Sequence, residues 1–387
     1  MRRSLTHYWR MNLAVIAGVA VTTAVLTGAL LVGDSLRGSL RHLTLDRLGT
    51  IEHTVLNDRF FPQSLAQRFA EQARADGLAV VTAPVVLIQG SAVDPNSDRR
   101  GSAVQIVGID QQFADFYSDS EATSDLELAR SENQIFPSVV INQPLMDELG
   151  AAIGDDLLLS FGRPAVVPSA SLLGRREQHD LLTTLRTTIT AVLPALGPGR
   201  FGLEPRQNRP LNAFVELDSL QQRLDRPGDI NAMLIGGPSA AAGAAKEVPE
   251  LEAVFRQALE MGDLGIELRQ GPDYLAVESA ELVLRPAVAE AVMSAATSSG
   301  LSSWPYLTYL ANRLEIEDRT LPYSTVGALQ LPIPDTIGML SGVEGTPVTK
   351  LGADQVALNT WAAARLEAEP GDALAMSYFV VGANDQL

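Results

Sequence analysis

The feature that most constrains this chain is a run of 23 residues, Met11 to Gly33, without a single charged side chain. The 20 residues from Leu13 to Val32 are apolar apart from Thr22, Thr23 and Thr27, whose hydroxyls can bond back to a helix backbone. At about 1.5 Å per residue such a helix covers about 30 Å, the hydrocarbon thickness of a bilayer. A secretory signal has a shorter apolar region, about 7 to 15 residues, closed by a small-x-small cleavage site. No convincing site of that kind is present after the run. It therefore reads as an uncleaved anchor, and the residues beyond it must fold as a body tethered to a lipid bilayer.

Ala20, Ala24 and Gly28 recur every fourth residue along this helix, a spacing of small side chains that lets another membrane helix approach closely. Arg2, Arg3 and Arg10 before the span are balanced by Arg37, Arg41 and Arg47 after it, so local positive charge does not decide the orientation. A long domain after a span crosses largely regardless of charge, and the free amino group adds to the short side. The expectation is a cytoplasmic N-terminus with the large domain outside the cytoplasm.

With 387 residues, the chain has room for two domains or two subdomains, and 46% hydrophobic against 19% charged residues places it among folded chains. Its net charge is -17, and with Arg2, Arg3 and Arg10 set aside the remainder carries 26 basic against 46 acidic residues. So acidic a surface repels phosphate backbones, and Lys246 and Lys350 are the only lysines, which argues against nucleic acid as a partner. The absence of cysteine removes disulfides, thiol nucleophiles and thiolate metal sites together.

After the span, Leu36, Leu40, Leu43 and Leu48 keep helical spacing with no proline between them, predicting a helical stalk over residues 34–50. Beyond it the chain alternates in character. "IEHTVLND" reads as a strand, "PQSLAQRFAEQARADG" as a helix opened by Pro62 and closed by Gly77, and "LAVVTAPVVLIQGSAV" as two strands broken near Pro84. "SAVQIVGIDQQFADFY" predicts a strand and a short helix from Asp110, and "SDSEATSDLELARSEN" an exposed loop with some helix. "LLTTLRTTITAVLPAL" predicts a strand, and "PLNAFVELDSLQQRLDRPGDINAMLIGG" a strand, helix, turn and strand with Leu220 and Leu224 facing in. "GGPSAAAGAAKEVPE" reads as a linker before the helix in "ELEAVFRQALEMG". The expected class is α/β (α+β).

An internal echo is the most specific signal after the span. Shifted by 217 positions, "VVINQPLMDELGAAIGDDLLLSF" falls on "VALNTWAAARLEAEPGDALAMSY" without a gap, pairing Asn142 with Asn359, Leu149 with Leu366, and Gly154-Asp155 with Gly371-Asp372. Each copy reads as a strand, a capping Asn, two helical turns, a Gly-Asp turn and a second strand. The turn chemistry accounts for Asp155 and Asp372, so neither is taken as catalytic.

Other candidate sites are weak. "GPGRFG" matches a dinucleotide fingerprint in letters, but Pro205 and Pro210 stand where the phosphate-binding helix belongs, leaving a turn. "DPNSDRRG" opens like a calcium loop, yet Arg99 and Gln105 replace the required Gly and Glu, leaving a polar hairpin loop. His7, His42, His53 and His179 are scattered, and neither G-x-S-x-G nor a nucleotide-binding G-x-x-x-x-G-K-[ST] occurs. The sequence assigns no catalytic, cofactor-binding or metal-binding residue, and the chain is read as no enzyme.

Taken together, "VLTGALLVGDSLRGSLR", "VQIVGIDQQF", the two copies of the echo, "NAFVELDSLQQRL" and "YLTYLANRLE" with "LPYSTVGAL" after it resemble the permease subunits of MacB/FtsX-type ABC transporters. The match is to their first membrane helix and MacB-like periplasmic core domain, and it extends over nearly the whole chain. The resemblance implies repeated small β-α-β subdomains on an N-terminal transmembrane helix and stalk. It also implies a dimer of permeases, a separate cytoplasmic ABC ATPase, and transmission of ATP-driven motion to a periplasmic domain that moves lipoproteins, peptides or drugs or engages a periplasmic partner. Such permeases carry three further spans, so the end at "YFVVGANDQL" leads to the expectation of a truncated or partial chain. The expected organisation is residues 1–33 for the cytoplasmic N-terminus and span, 34–50 for the stalk, 51–235 for a periplasmic subdomain with the first copy and 236–387 for one with the second. The competing reading is a stand-alone single-span extracytoplasmic scaffold.

Overall fold

A computed structural model describes residues 8–117, 123–127, 129, 136–162, 182–204, 209–237, 248–279, 284–333, 340–343 and 345–378. The chain is mixed α/β with one long N-terminal helix, and it divides into two compact units. Unit 1 is drawn from the residues up to Arg59, Ala66–Phe161 and Thr184–Val254, while unit 2 takes Phe60–Leu65, the described part of 162–183, and Phe255 onward.

Helix α1 runs unbroken through 40 residues, Trp9–Leu48, and contains no buried residue. The apolar run and the stalk are thus one rod about 60 Å long. Gly49 ends it at φ 58, with its N–H donating to Leu45 O. There follow β1 (Ile51–Pro62), α2 (Ser64–Ala75), β2 (Val81–Val93), β3 (Arg100–Ile109), α3 (Gln111–Asp115), α4 (Thr123–Glu127), β4 (Ser138–Asn142), α5 (Gln143–Leu149), β5 (Asp156–Gly162), β6 (Leu182–Leu193), β7 (Leu211–Glu216), α6 (Leu217–Arg223), β8 (Asp229–Gly236) and α7 (Val248–Ala258).

The eight strands of the main sheet lie in the order β1-β8-β2-β3-β7-β4-β6-β5, and β5 also pairs with β2. Strands β2, β3, β7, β4, β6 and β5 therefore close on one another, which leaves none of the six as an edge. Strand β2 pairs with β3 along one edge and is long enough for two partners along the other: Val81–Val85 pair with β8, and Gly90–Val93 with β5. A bulge between Gly90 and Ala92 re-aims it. A Cβ at Gly90 would stand 2.5 Å from Ser160 O, so the close approach of β5 requires glycine there. Phe113, Phe214, Val85, Val107 and Leu234 are buried together in the core of this unit.

Two expectations are corrected here. The break expected near Pro84 is absent: β2 continues through it, because β3 pairing begins only at Val86 and the missing N–H can face the open side. The acidic segment read as an exposed loop with some helix does contain a helix, α4, but it contributes Leu126 and Ala129 to the core, both 1% exposed. Most of that segment, and residues 238–247 of the expected linker, lie outside the described residues.

Unit 2 holds a two-stranded hairpin, β9 (Ile266–Gln270) and β10 (Leu275–Ser279), then helix α8 (Pro286–Ser298). A three-stranded sheet comes next, β11 (Tyr306–Ile316), β12 (Arg319–Leu329) and β13 (Ala375–Ser377), with helix α9 (Thr360–Leu366) preceding β13. Leu314, Ile316, Leu321, Ala362 and Leu366 form its core.

The two halves of the sequence echo share their local chemistry. Asn142 and Asn359 each accept a hydrogen bond from the third residue of the helix they cap, Leu145 N at 3.2 Å and Ala362 N at 2.8 Å. Each helix ends in a left-handed residue, Gly150 (φ 63) and Glu367 (φ 47). Gly154 (φ 97) and Gly371 (φ 107) turn the chain, and Asp155 and Asp372 each accept from the N–H three residues before, both at 2.8 Å. The likeness extends to the hairpins. Leu159 of β5 faces Ala92 of β2, as its counterpart Met376 of β13 faces Leu314 of β11. Across those hairpins Ala92 faces Gly101 and Leu314 faces Leu321, and two residues further on stand Ala103 (φ 55) and Tyr323 (φ 54).

One part of the echo differs. Val356–Leu358 form no strand, although their counterparts lie in β4. Strand β4 is held between β6 and β7. Among the described residues nothing flanks 356–358 in that way, and an extended segment without partners is not a strand.

Candidate functional site

The structure concentrates its unusual contacts where α1 enters unit 1. Two helix residues at its end carry three bonds. Asp46 Oδ2 accepts from Gly197 N at 2.9 Å, the Arg47 carbonyl accepts from the Tyr117 hydroxyl at 2.8 Å, and Arg47 Nη1 donates to Glu204 O at 3.3 Å. Leu48 packs against the main core. Beyond the helix, Thr50 N donates to Phe116 O at 3.0 Å. A Cβ at Gly49 would lie 2.3 Å from that same carbonyl, so the left-handed glycine both stops the helix and lets it sit against the end of α3.

The partner of Asp46 is the "GPGRFG" stretch, which folds as a one-turn 3-10 helix, Gly197–Arg200. It is fixed from below. Gly199 is buried, its ideal Cβ only 1.9 Å from Pro194 O, and its carbonyl accepts from Asn142 Nδ2 at 2.8 Å. Asn142, 0% exposed, also donates to Pro210 O at 2.7 Å and accepts from Asn212 N at 3.0 Å. Asn212 Nδ2 in turn donates to Phe201 O at 2.9 Å. The Phe201 ring meets Phe113 edge-on at 5.2 Å, and Phe113 touches Tyr117 and Phe214. A continuous path of contacts, part-buried at the helix end and buried beyond it, thus joins the end of α1 to strands β4 and β7.

Electrostatics reinforce this. Burial raises the Tyr117 phenol far above its ordinary range, and the nearby Asp46 carboxylate adds to the rise, partly offset by Arg47. Tyr117 therefore remains a neutral donor to the helix at any physiological pH. What the arrangement does is hold: the bonds it makes go to backbone groups, while Arg47 Nε and Asn212 Oδ1 are buried without a hydrogen-bond partner among the described residues.

The sequence-selected residues fall elsewhere or in different roles. Asp94 is a loop organiser, accepting from Ser97 Oγ at 2.6 Å and Asn96 N at 2.9 Å, and these bonds hold its carboxyl below the usual range. Of the histidines, His42 and His53 are described and His7 and His179 are not, and among the described residues no cluster of three metal-ligating side chains occurs. A depression of about 310 Å³ is lined by Ala70, Arg74, Leu78, Ala79, Val80 and Val81, which gives a ligand one charged side chain and nothing convergent to orient it. Asp46, Tyr117 and Asn212 carry no local signal in the sequence. Asp46 looks like any charge on a stalk, and its partner lies 151 residues away.

No family model matches the sequence, and no curated protein matches it. Among solved structures, the chain is similar to the periplasmic region of MacB from Actinobacillus actinomycetemcomitans at 10% identity, covering 62% of this chain and 84% of that one with a TM-score of 0.31. It is also similar to the extracellular domain of the noncanonic ABC-type transporter YknZ from Gram-positive bacteria at 10% identity, with coverage of 51% and 80% and a TM-score of 0.29. A domain of a putative permease protein from Porphyromonas gingivalis matches at 10% identity, with coverage of 49% and 70% and a TM-score of 0.27. The kind of protein that the sequence motifs resemble thus returns at low identity.

Proposed function

We propose that this chain acts as part of the permease subunit of an ABC transporter of the MacB/FtsX type. In this reading α1 crosses the inner (cytoplasmic) membrane with its N-terminus inside, and residues 51–235 and 236–387 form periplasmic subdomains built on a repeated unit. A cytoplasmic ABC ATPase and a second permease copy drive the helix, and the periplasmic body moves a lipoprotein, peptide or drug, or engages a periplasmic partner. The observation that carries the proposal is the junction. One continuous helix, long and apolar enough to cross a membrane, is clamped at its far end by Asp46, Arg47 and Thr50 to a buried network. A simple anchor needs no such clamp, whereas a lever does, because displacement of the rod reaches the domain only if the joint is stiff.

The test is purification of the chain, with its native membrane neighbours, in mild detergent. The expected outcome is a co-purifying ATP-hydrolysing subunit, together with a disulfide-linked dimer of the Ala24→Cys variant whose yield changes when ATP is added. Since the chain has no cysteine, the introduced thiol is the only one it contributes. A chain that purifies without an ATPase and gives the same cross-linking with and without ATP would instead be the single-span scaffold.

A further inference from the structure

The two hairpins that match in backbone detail differ in what lies beside them. In unit 1, β3 is covered on its outer side by β7, which runs parallel to it in the register Val104↔Leu211 through Ile109↔Glu216. In unit 2 the counterpart strand β12 is the terminal strand of its sheet among the described residues. Matching Ala103 to Tyr323 places Ser324–Leu329 where Val104–Ile109 stand. The difference shows in burial: Ile109 is 1% exposed and its counterpart Leu329 37%, while Ile106 is 0% exposed and its counterpart Val326 is only half-buried. Tyr306, which faces Leu329 across the hairpin, is 66% exposed.

We infer that the outer edge of β12, over Ser324–Leu329, takes an extended polypeptide segment in parallel orientation, as β3 takes β7. The occupant is defined by the internal template: a segment of about six residues with an uncharged, largely apolar interior, like Leu211–Glu216, in which Asn212 is the one polar interior residue. Ser324–Leu329 carry no charge, so recognition comes from backbone hydrogen bonds and apolar side chains. A symmetric pairing of β12 with itself in a second copy would be antiparallel, because a two-fold axis relates the strands head to tail, and the template therefore argues against it.

The probe is a synthetic LNAFVE peptide with solubilising lysines, and its control is a scrambled sequence with the same lysines. Amide hydrogen exchange is read at Ser324–Leu329 in the full chain held in detergent. At a peptide concentration ten times Kd, exchange at the amides of this stretch that face away from β11 is expected to slow about elevenfold, since the free fraction falls to 1/(1 + [L]/Kd). Residues of a parallel strand direct their N–H groups alternately to the two sides. Of two peptides N-methylated at alternate positions, one is therefore expected to lose the effect and the other to keep it. No slowing up to millimolar peptide overturns the inference, as does equal loss with both methylated peptides, which would mean side-chain adhesion without strand addition. Protection without peptide that rises with chain concentration would assign the edge to a second copy and overturn it equally.

Discussion

Asn142 and Asn359 occupy the same position in two copies of one local design, and they hold very different things. Both cap a short helix. Asn359 is exposed and spends its side-chain oxygen on Ala362 N. Asn142 is fully buried and joins four backbone groups, Leu145 N, Asn212 N, Gly199 O and Pro210 O. Local sequence thus writes the cap, and the strands assembled around it decide whether the cap becomes a structural node. In unit 1 that node lies directly beneath the junction with α1.

Breaking the two caps separates these roles. Asn142→Ala leaves two buried backbone groups and one part-buried one without their side-chain partner and is expected to destabilise unit 1 by about 3 to 5 kcal/mol, at roughly 1 to 3 kcal/mol per group with partial relaxation. Asn359→Ala loses a cap alone, for about 1 kcal/mol. Hydrogen exchange resolved to each unit checks the contrast, and equal losses would remove the distinction. Packing offers a second contrast. Beside β3 the small residue is Gly101 and the large one Leu145, its Cδ1 only 2.9 Å from where a Gly101 Cβ would lie. In unit 2 the counterparts are Leu321 and Ala362, with the sizes exchanged. Gly101→Leu is expected to cost about 2 to 3 kcal/mol by overpacking. Adding Leu145→Ala should recover part of that in a double-mutant cycle, whereas additive losses would show that the two hairpin-helix contacts are not equivalent.

How much of this could be read from sequence depends on how far apart the partners lie. The long helix was legible because one uninterrupted apolar run defines it, and the caps and Gly-Asp turns because their bonds span three residues. The other three bonds of Asn142 reach 57 to 70 residues away, and no local pattern announces them. The hairpin likeness escaped for a different reason: the loops differ, Asp94–Arg99 against Glu317–Asp318, so no single shift aligns hairpin and helix together. Val356–Leu358 form no strand despite the echo, because strand character in the first copy comes from its neighbours β6 and β7 and not from its letters.

The junction supplies smaller tests. Tyr117→Phe leaves the Arg47 carbonyl without its side-chain donor and is expected to cost about 1 to 2 kcal/mol, with faster exchange at the amides of residues 46–50 as the local readout. An effect spread evenly over unit 1 would mean that Tyr117 serves the core and not the clamp. The smallest effect concerns pH. Asp94 has a folded-state pKa below its ordinary value near 3.8, so it contributes stability that is present above that value and is lost as pH falls through the lowered one. Asp94→Asn should therefore flatten the acid limb of an unfolding-versus-pH profile below about pH 4, by less than about 1 kcal/mol. The Asp229 carboxyl is displaced the other way, chiefly by burial, and Asp229→Asn should relieve a small penalty that is present above its raised value.

Each hydrogen bond that fastens α1 to unit 1 has a backbone atom at one end or both: Gly197 N, Arg47 O, Glu204 O, Phe116 O. What such a joint selects is the path of the main chain. A substitution at Glu204 leaves the acceptor of Arg47 in place, since any amino acid brings the same carbonyl. Selection on this coupling would thus leave little imprint as a motif and would show instead as constancy in the number of residues between the helix end and the segments that meet it. Insertions and deletions are then the changes by which diverging chains of this design would lose the coupling, long before substitutions erased it.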